Sequence, residues 1–327
     1  ATLTDALQRI VRNILSQNTS FTSPAISVNA FNRTQNLNDL YITMFQSQGN
    51  FRWPGNLKKY RIRDNGVIVG ADDQPAVDPA TGFVRSTALS FWRSDTDPVD
   101  GADVTLGGAA NQLPVPADRR LYTDFSIGNL YAAGNRVVAG NALVTPELLG
   151  LAAGDSAGRD LLIQYLRGTD VDDIDQDGDT TDARNQMGDP MHSQPVSVVY
   201  GGTVASRNVD DGVVYVATND GYLHAIRPDT GEELWSFIPT ELMHRAAQLR
   251  ADEPIDYKTY GLDGSLRAYK LDLNANGIVE PLLGDKVWLL FGMGRGGYTY
   301  YALDITDKNA PVLMWRKTPT DYPGLGQ

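Results

Sequence analysis

Between residues 170 and 182 seven aspartates occupy thirteen positions: Asp170, Asp172, Asp173, Asp175, Asp177, Asp179 and Asp182. No Lys or Arg interrupts them. At neutral pH such carboxylates repel one another unless a cation gathers them. The order Asp173-x-Asp175-x-Asp177-Gly178 sets oxygen ligands at alternate positions and a glycine at the sixth, the opening of a calcium loop. Counted from Asp173, the ninth residue is Thr181 and the twelfth is Arg184, where an EF-hand carries a bidentate Glu. Asp179 or Asp182 must then supply the remaining carboxylate. A second, less acidic version is Asp272-x-Asn274-x-Asn276-Gly277-Ile278-x-Glu280, a nine-residue loop offering four side chains and the Ile278 carbonyl. Both loops suit Ca2+, a hard cation that takes six to eight oxygens. The plainer reading is a solvated turn, because Asp, Asn and Gly favour turns without any metal.

Composition narrows the partners. A formal charge of −12 over 327 residues repels nucleic acid and anionic membrane. No apolar run approaches the length of a transmembrane helix. With no cysteine, disulfides, zinc–thiolate sites and thiol catalysis are excluded. Calcium loops of modest affinity fit the millimolar calcium outside cells, so the expected location is extracytoplasmic. The chain starts at Ala1 without a signal-peptide pattern and reads as a mature or internal piece of something longer.

The elements that must position these loops follow from periodicity. Leu3, Leu7, Ile10, Val11, Ile14 and Leu15 form one apolar stripe, predicting a helix within 1–18. Residues 25–45 alternate polar with β-branched and aromatic residues, as paired strands do. Trp53-Pro54-Gly55-Asn56 reads as a turn before a strand over 57–62. Residues 64–120 are loop-heavy, with too thin a core of their own, and are expected to lie over another domain's surface. Helix is expected at 145–151 and 160–167, and the acidic loop follows directly. The whole stretch 19–189 is therefore a mixed α/β region.

After residue 190 short strands alternate with turns, and an internal repeat emerges. A hairpin over 213–226 turns at Asn219-Asp220-Gly221 and runs through Pro228-Asp229-Thr230-Gly231 to Trp235. Residues 287–304 repeat the order and end at Trp315. Four short strands per unit with a fixed tryptophan is the pattern of a β-propeller blade. The expected fold class is thus mainly β with a few helices. A partial propeller occupies 190–327, where two or three blades fit.

Ala225-x-x-x-Asp229-Thr230-Gly231-x-x-x-Trp235 resembles the blade motif of quinoprotein-type propellers, with Arg227 where that motif usually has Asp. A narrower resemblance covers nearly the whole chain. Ser23-Pro24-Ala25, Asn32-Arg33-Thr34, Trp53-x-Gly55-Asn56-Leu57-Lys58-x-Tyr60, Tyr165-Leu166-Arg167-Gly168, Gly188-Asp189-Pro190-Met191-His192-Ser193-x-Pro195 and Gly292-Met293-Gly294-x-Gly296-Gly297 are similar, in order, to the PilY1 family of type IV pilus tip proteins. That resemblance implies a secreted or outer-membrane-associated protein at the pilus tip, with an adhesive N-terminal domain, not expected among these 327 residues, and a calcium-binding propeller. It also implies roles in pilus assembly, opposition to retraction, surface adhesion and twitching motility. The partners it implies are minor pilins or other tip components and a host or abiotic surface. Some members carry an Arg-Gly-Asp integrin signal near the first loop. Here the residues read Arg167-Gly168-Thr169-Asp170, so that activity is not carried over.

Two other function classes compete. A quinone-dependent dehydrogenase fragment would share the blade motif, but needs a complete ring and, in many members, a vicinal disulfide. A periplasmic propeller scaffold would bind other proteins through blade edges, with no need for calcium. His192, His224 and His244 are scattered without a paired nucleophile, so a catalytic triad is not expected and His192 reads as a structural hydrogen-bonder beside Asp189. The expected protein is not an enzyme.

Overall fold

The computed structural model describes residues 20–22, 38–94, 98–203 and 206–324. The predicted N-terminal helix, the strand over 25–31 and the strings at 23–25 and 32–34 lie outside these residues. The fold is mainly β, 29% strand against 13% helix, and its sheets do not close on themselves.

The first sheet runs β1 (Ser20–Thr22), β2 (Asp39–Gln46), β3 (Pro54–Ile62) and β4 (Ile68–Val69), and the short β7 (Met187–Gly188) also pairs with β3. The expected turn at 53–56 is instead the start of β3. Gly55 pairs with Phe45 on one side and Met187 on the other, which draws the chain straight. A side chain at Gly55 would lie 2.2 Å from the Gly188 carbonyl, so only glycine permits this approach.

Residues 64–110 wrap the sheet, and a small core of Leu40, Ile42, Met44, Tyr60, Val84 and Val104 forms beneath them. Asn56 and Lys58, both fully buried on β3, hold these loops. Asn56 donates to the carbonyls of Val104 and Gly107, each at 2.9 Å. Trp92 reaches further, donating through Nε1 to the Pro228 carbonyl at 3.0 Å. Its indole fills the space that a side chain at Gly231 would occupy.

The second and third sheets are the two repeats. The second orders as β5 (Leu121–Tyr122), β11 (Glu233–Phe237), β10 (Leu223–Ile226), β9 (Arg207–Ala217) and β8 (Val196–Gly202). The third orders as β12 (Arg267–Leu271), β13 (Lys286–Gly292), β14 (Tyr300–Asp304), β15 (Val312–Lys317) and β6 (Gly128–Asn129). Each is an antiparallel four-stranded meander with a two-residue strand from the preceding region added at one edge. The repeat holds to the register: Ala225 faces Trp235 and Ala302 faces Trp315, with a strand irregularity directly after each alanine.

One apolar cluster joins these sheets, with Trp235 and Phe237 from the second meeting Phe291, Tyr301 and Leu313 from the third. Trp235 is fully buried, and its Nε1 donates to the Lys308 carbonyl at 3.4 Å. The same cluster takes in α1 (Ser156–Leu166) through Leu162, Ile163, Tyr165 and Leu166. This helix begins four residues before the expected 160 because the Asp155 side chain accepts from the Gly158 N–H and caps it. The helix expected at 145–151 is a single 3-10 turn, Glu147–Leu149, ended by Gly150 in the left-handed region. Two short helices also interrupt the strands after 190: α2 (Thr240–Met243) and α3 (Ala246–Ala251).

Candidate metal-binding loops

The first loop leaves the C-terminus of α1 and is closed at its neck. Asp170 N–H donates to the Asp182 carbonyl at 3.0 Å, and Arg184 N–H to the Gly168 carbonyl at 2.8 Å. Inside the neck the side chains fold back onto their own backbone. Asp173 Oδ1 accepts from Gly178 N–H, Asp175 Oδ1 from Asp177 N–H and Asp177 Oδ1 from Asp179 N–H. Asp173, Gln176 and Gly178 take positive φ of 49°, 63° and 89° to allow these bends. As a result Asp173, Asp175 and Asp177 converge, each offering a carboxylate oxygen within 4.8 Å of the other two. No salt bridge among the described residues engages these three.

The other acidic residues divide. Asp172 points away and is held by the Arg250 guanidinium on α3, with contacts of 2.6 and 2.9 Å. Asp179 accepts from Thr181 through both its N–H and its hydroxyl, and these bonds hold the Asp179 carboxyl below its usual range. Asp182 is raised, first by burial and then by the charges of Asp177, Asp175, Asp179 and Asp170. Asp170 is 2% exposed; its Oδ2 accepts from Ile174 N–H, while its Oδ1 is buried without a hydrogen-bond partner. Asp182 Oδ1 is likewise buried and unpaired. Unpaired buried oxygens beside three converging carboxylates are a donor set that fits a hard divalent cation.

The second loop repeats the backbone with different chemistry. Asp272 Oδ2 accepts from Gly277 N–H, and Ala275 and Gly277 take φ of 54° and 78°, at the loop positions of Gln176 and Gly178. Here the amides close the site. Asn274 and Asn276 both donate to Glu280 Oε2, at 2.9 and 2.5 Å, and Asn276 Oδ1 accepts from Ile278 N–H. Three of the four candidate side chains therefore meet, while the Asp272 carboxylate is tied to the same turn through the N–H groups of Asn276 and Gly277. Rotating either amide would present its oxygen where its nitrogen now stands, beside Glu280. Asp285 secures the loop from below, accepting from Leu273 N–H and Glu280 N–H at 3.0 and 2.9 Å. Lys270 donates to the Gly277 carbonyl at 2.6 Å.

Two residues were missed by spacing alone: Asp170 as the inner wall of the first loop and Asp285 as the floor of the second. Asp285 could have been found, since a buried Asp five residues after Glu280 is well placed to close a turn. For Asp170 nothing local distinguishes it from its six acidic neighbours.

The histidines are placed differently from expectation. His192 pairs not with Asp189 but with Asp263, its Nδ1 lying 2.8 Å from Oδ1. Asn219 bridges the two carboxylates, donating to Asp189 at 2.7 Å and Asp263 at 3.3 Å. Lys258 donates to Asp189 Oδ2 at 2.5 Å and sits 4.4 Å over the Trp53 ring. The two most specific strings, around Trp53–Tyr60 and Gly188–Ser193, thus meet at a structural junction. His224 lies between Thr218 Oγ1 at 3.3 Å and Glu233 at 2.6 Å, and Arg119 forks onto Glu233 at 2.8 and 3.0 Å. Burial acts to raise the Glu233 pKa, but Arg119 and His224 hold it far below the carboxylate range. Every member of this chain is at least 96% buried, so it works as an internal tie.

Comparison with known proteins gives the relationship. A type IV pilus biogenesis factor PilY1 homolog from Xylella fastidiosa is 32% identical over 181 residues, half of this chain and 14% of that protein. Over that half the chain is similar to a PilY1 protein. Two PilY1 proteins of Pseudomonas aeruginosa agree: strain UCBPP-PA14 at 32% over 35% of the chain, and strain PAK at 26% over 53%. In each case the match spans 15% or less of the relative's own length. No family model matches the chain, and no solved structure matches it. No helix among the described residues is long and apolar enough to cross a membrane.

Proposed function

We propose that this chain is the calcium-binding part of a type IV pilus biogenesis factor. It acts at the pilus tip on the cell surface or outer membrane, where it supports assembly, opposes retraction and mediates adhesion and twitching motility. Its partners are minor pilins or other tip components. The observation that carries the reading is the convergence of Asp173, Asp175 and Asp177, with unpaired Asp170 and Asp182 oxygens behind them, in a relative of the PilY1 proteins. Asp179 and Asp182 complete the first set of ligands. Asp272, Asn274, Asn276, the Ile278 carbonyl and Glu280 form the second.

Calcium here is structural. Binding to the folded state alone stabilises it by RT ln(1 + [L]/Kd), about 2.7 kcal/mol at a hundred-fold excess over Kd. Calcium should raise the melting temperature and protect residues 170–185 from protease. Superimposable melting curves in calcium and in EGTA would remove the mechanism. A pull-down with minor pilins, performed in both conditions, tests the pilus assignment separately.

A further inference from the structure

The most completely buried charged pair of the described residues lies away from both loops. Lys58 on β3 and Asp100 in the wrapping segment each have a side chain 0% exposed, with Nζ 3.3 Å from Oδ2. Three carbonyls fix the amine there: those of Asp100 at 2.5 Å, Asp103 at 2.7 Å and Gly101 at 3.1 Å. The carboxyl is fixed as well, since Asp100 Oδ1 accepts from Ser90 N–H at 2.8 Å. Its other oxygen, Oδ2, is buried and has no hydrogen bond, and the Tyr60 and Ser90 hydroxyls are also buried without partners. Desolvating two full charges is costly, and unpaired groups around them add to the cost.

We propose that Lys58 and Asp100 condense into an isopeptide bond that covalently staples β3 to the segment wrapping it. The step balances without an outside reagent. Proton transfer from the ammonium to Asp100 Oδ2 gives a neutral amine and a carboxylic acid. The nitrogen lone pair attacks Cγ, the Cγ–Oδ2 bond breaks, and Oδ2 leaves as water with the second proton from nitrogen. Nζ and Cγ remain joined as a secondary amide. The reaction removes both charges from the interior together with Oδ2, which has no hydrogen bond there. Burial favours the neutral amine: it lowers the Lys58 pKa even though Asp100 acts in the opposite direction.

Intact-mass measurement of the unmodified chain tests this without depending on whether any variant folds. The expected mass is below that of the sequence by one water. Tandem mass spectrometry of a digest should give a branched peptide joining residues 58 and 100, and Lys58→Met and Asp100→Ala should each abolish it. A chain of full sequence mass overturns the proposal. So does a linear peptide that has lost water as a succinimide at Asp100-Gly101, because that product leaves the amine of Lys58 free.

Discussion

The two acidic loops share a backbone and differ in how they handle charge. Both bend at the fourth and sixth positions with positive φ, and in both the first aspartate accepts from the glycine N–H. The second loop satisfies itself: two asparagine amides donate to Glu280, and Asp285 anchors the chain below. The first has no such donors. Apart from Asp172, which Arg250 holds, its carboxylates take only backbone and Thr181 donors, and two buried oxygens have none. Identical geometry can therefore hold either a preformed turn or one that awaits a cation, depending on whether Asn or Asp fills alternate positions.

The largest expected difference is in the calcium response. Replacing Asp173, Asp175 and Asp177 together by Asn should abolish most of the calcium-dependent stabilisation, about 2.7 kcal/mol at a hundred-fold excess over Kd. A triple variant that keeps the full melting shift would transfer the effect to the second loop.

Metal-free stability should move in opposite directions. In EGTA, Asp175→Asn relieves repulsion and stabilises by less than about 1 kcal/mol. Glu280→Ala strands two amides and destabilises by about 1 kcal/mol. Urea midpoints with the same sign for both variants would erase the distinction.

The smallest effect is on pH dependence. Burial and neighbouring charge raise the Asp182 pKa in the folded chain, so its contribution to metal-free stability is present in acid and lost as pH rises through that folded value. Asp179 behaves oppositely, because Thr181 lowers its pKa: its contribution is present above the unfolded pKa and lost as pH falls through the folded one. Asp182→Asn should therefore reduce the loss of stability between acid and neutral pH in EGTA. An unchanged profile would show that Asp182 is not held among its acidic neighbours.

Much of this was legible in the residues. Ligand spacing of two is a local property, so the convergence of Asp173, Asp175 and Asp177 could be read directly, as could the Trp235 and Trp315 repeat. Other features depend on closure at a distance. Asp170 becomes an inner wall only because the Gly168–Arg184 neck shuts behind it. Strands β5 and β6 are two residues long, too short for any periodicity, and exist because an edge of each repeat recruits them. The strand start at Pro54 was hidden by turn-forming residues, of which Gly55 serves close contact with Gly188 instead. His192 found Asp263 across the fold rather than the Asp nearest in sequence.

One contact gives the first loop mechanical reach. Asp172, adjacent to the first converging carboxylate, is gripped by Arg250, seventy-eight positions further along the chain. A bend that tightens around an ion therefore pulls on a tether whose far end is a helix beside α1. Under the calcium binding proposed above, filling or emptying that bend would alter the slack between two packed helices, making the local ion concentration a setting for stiffness.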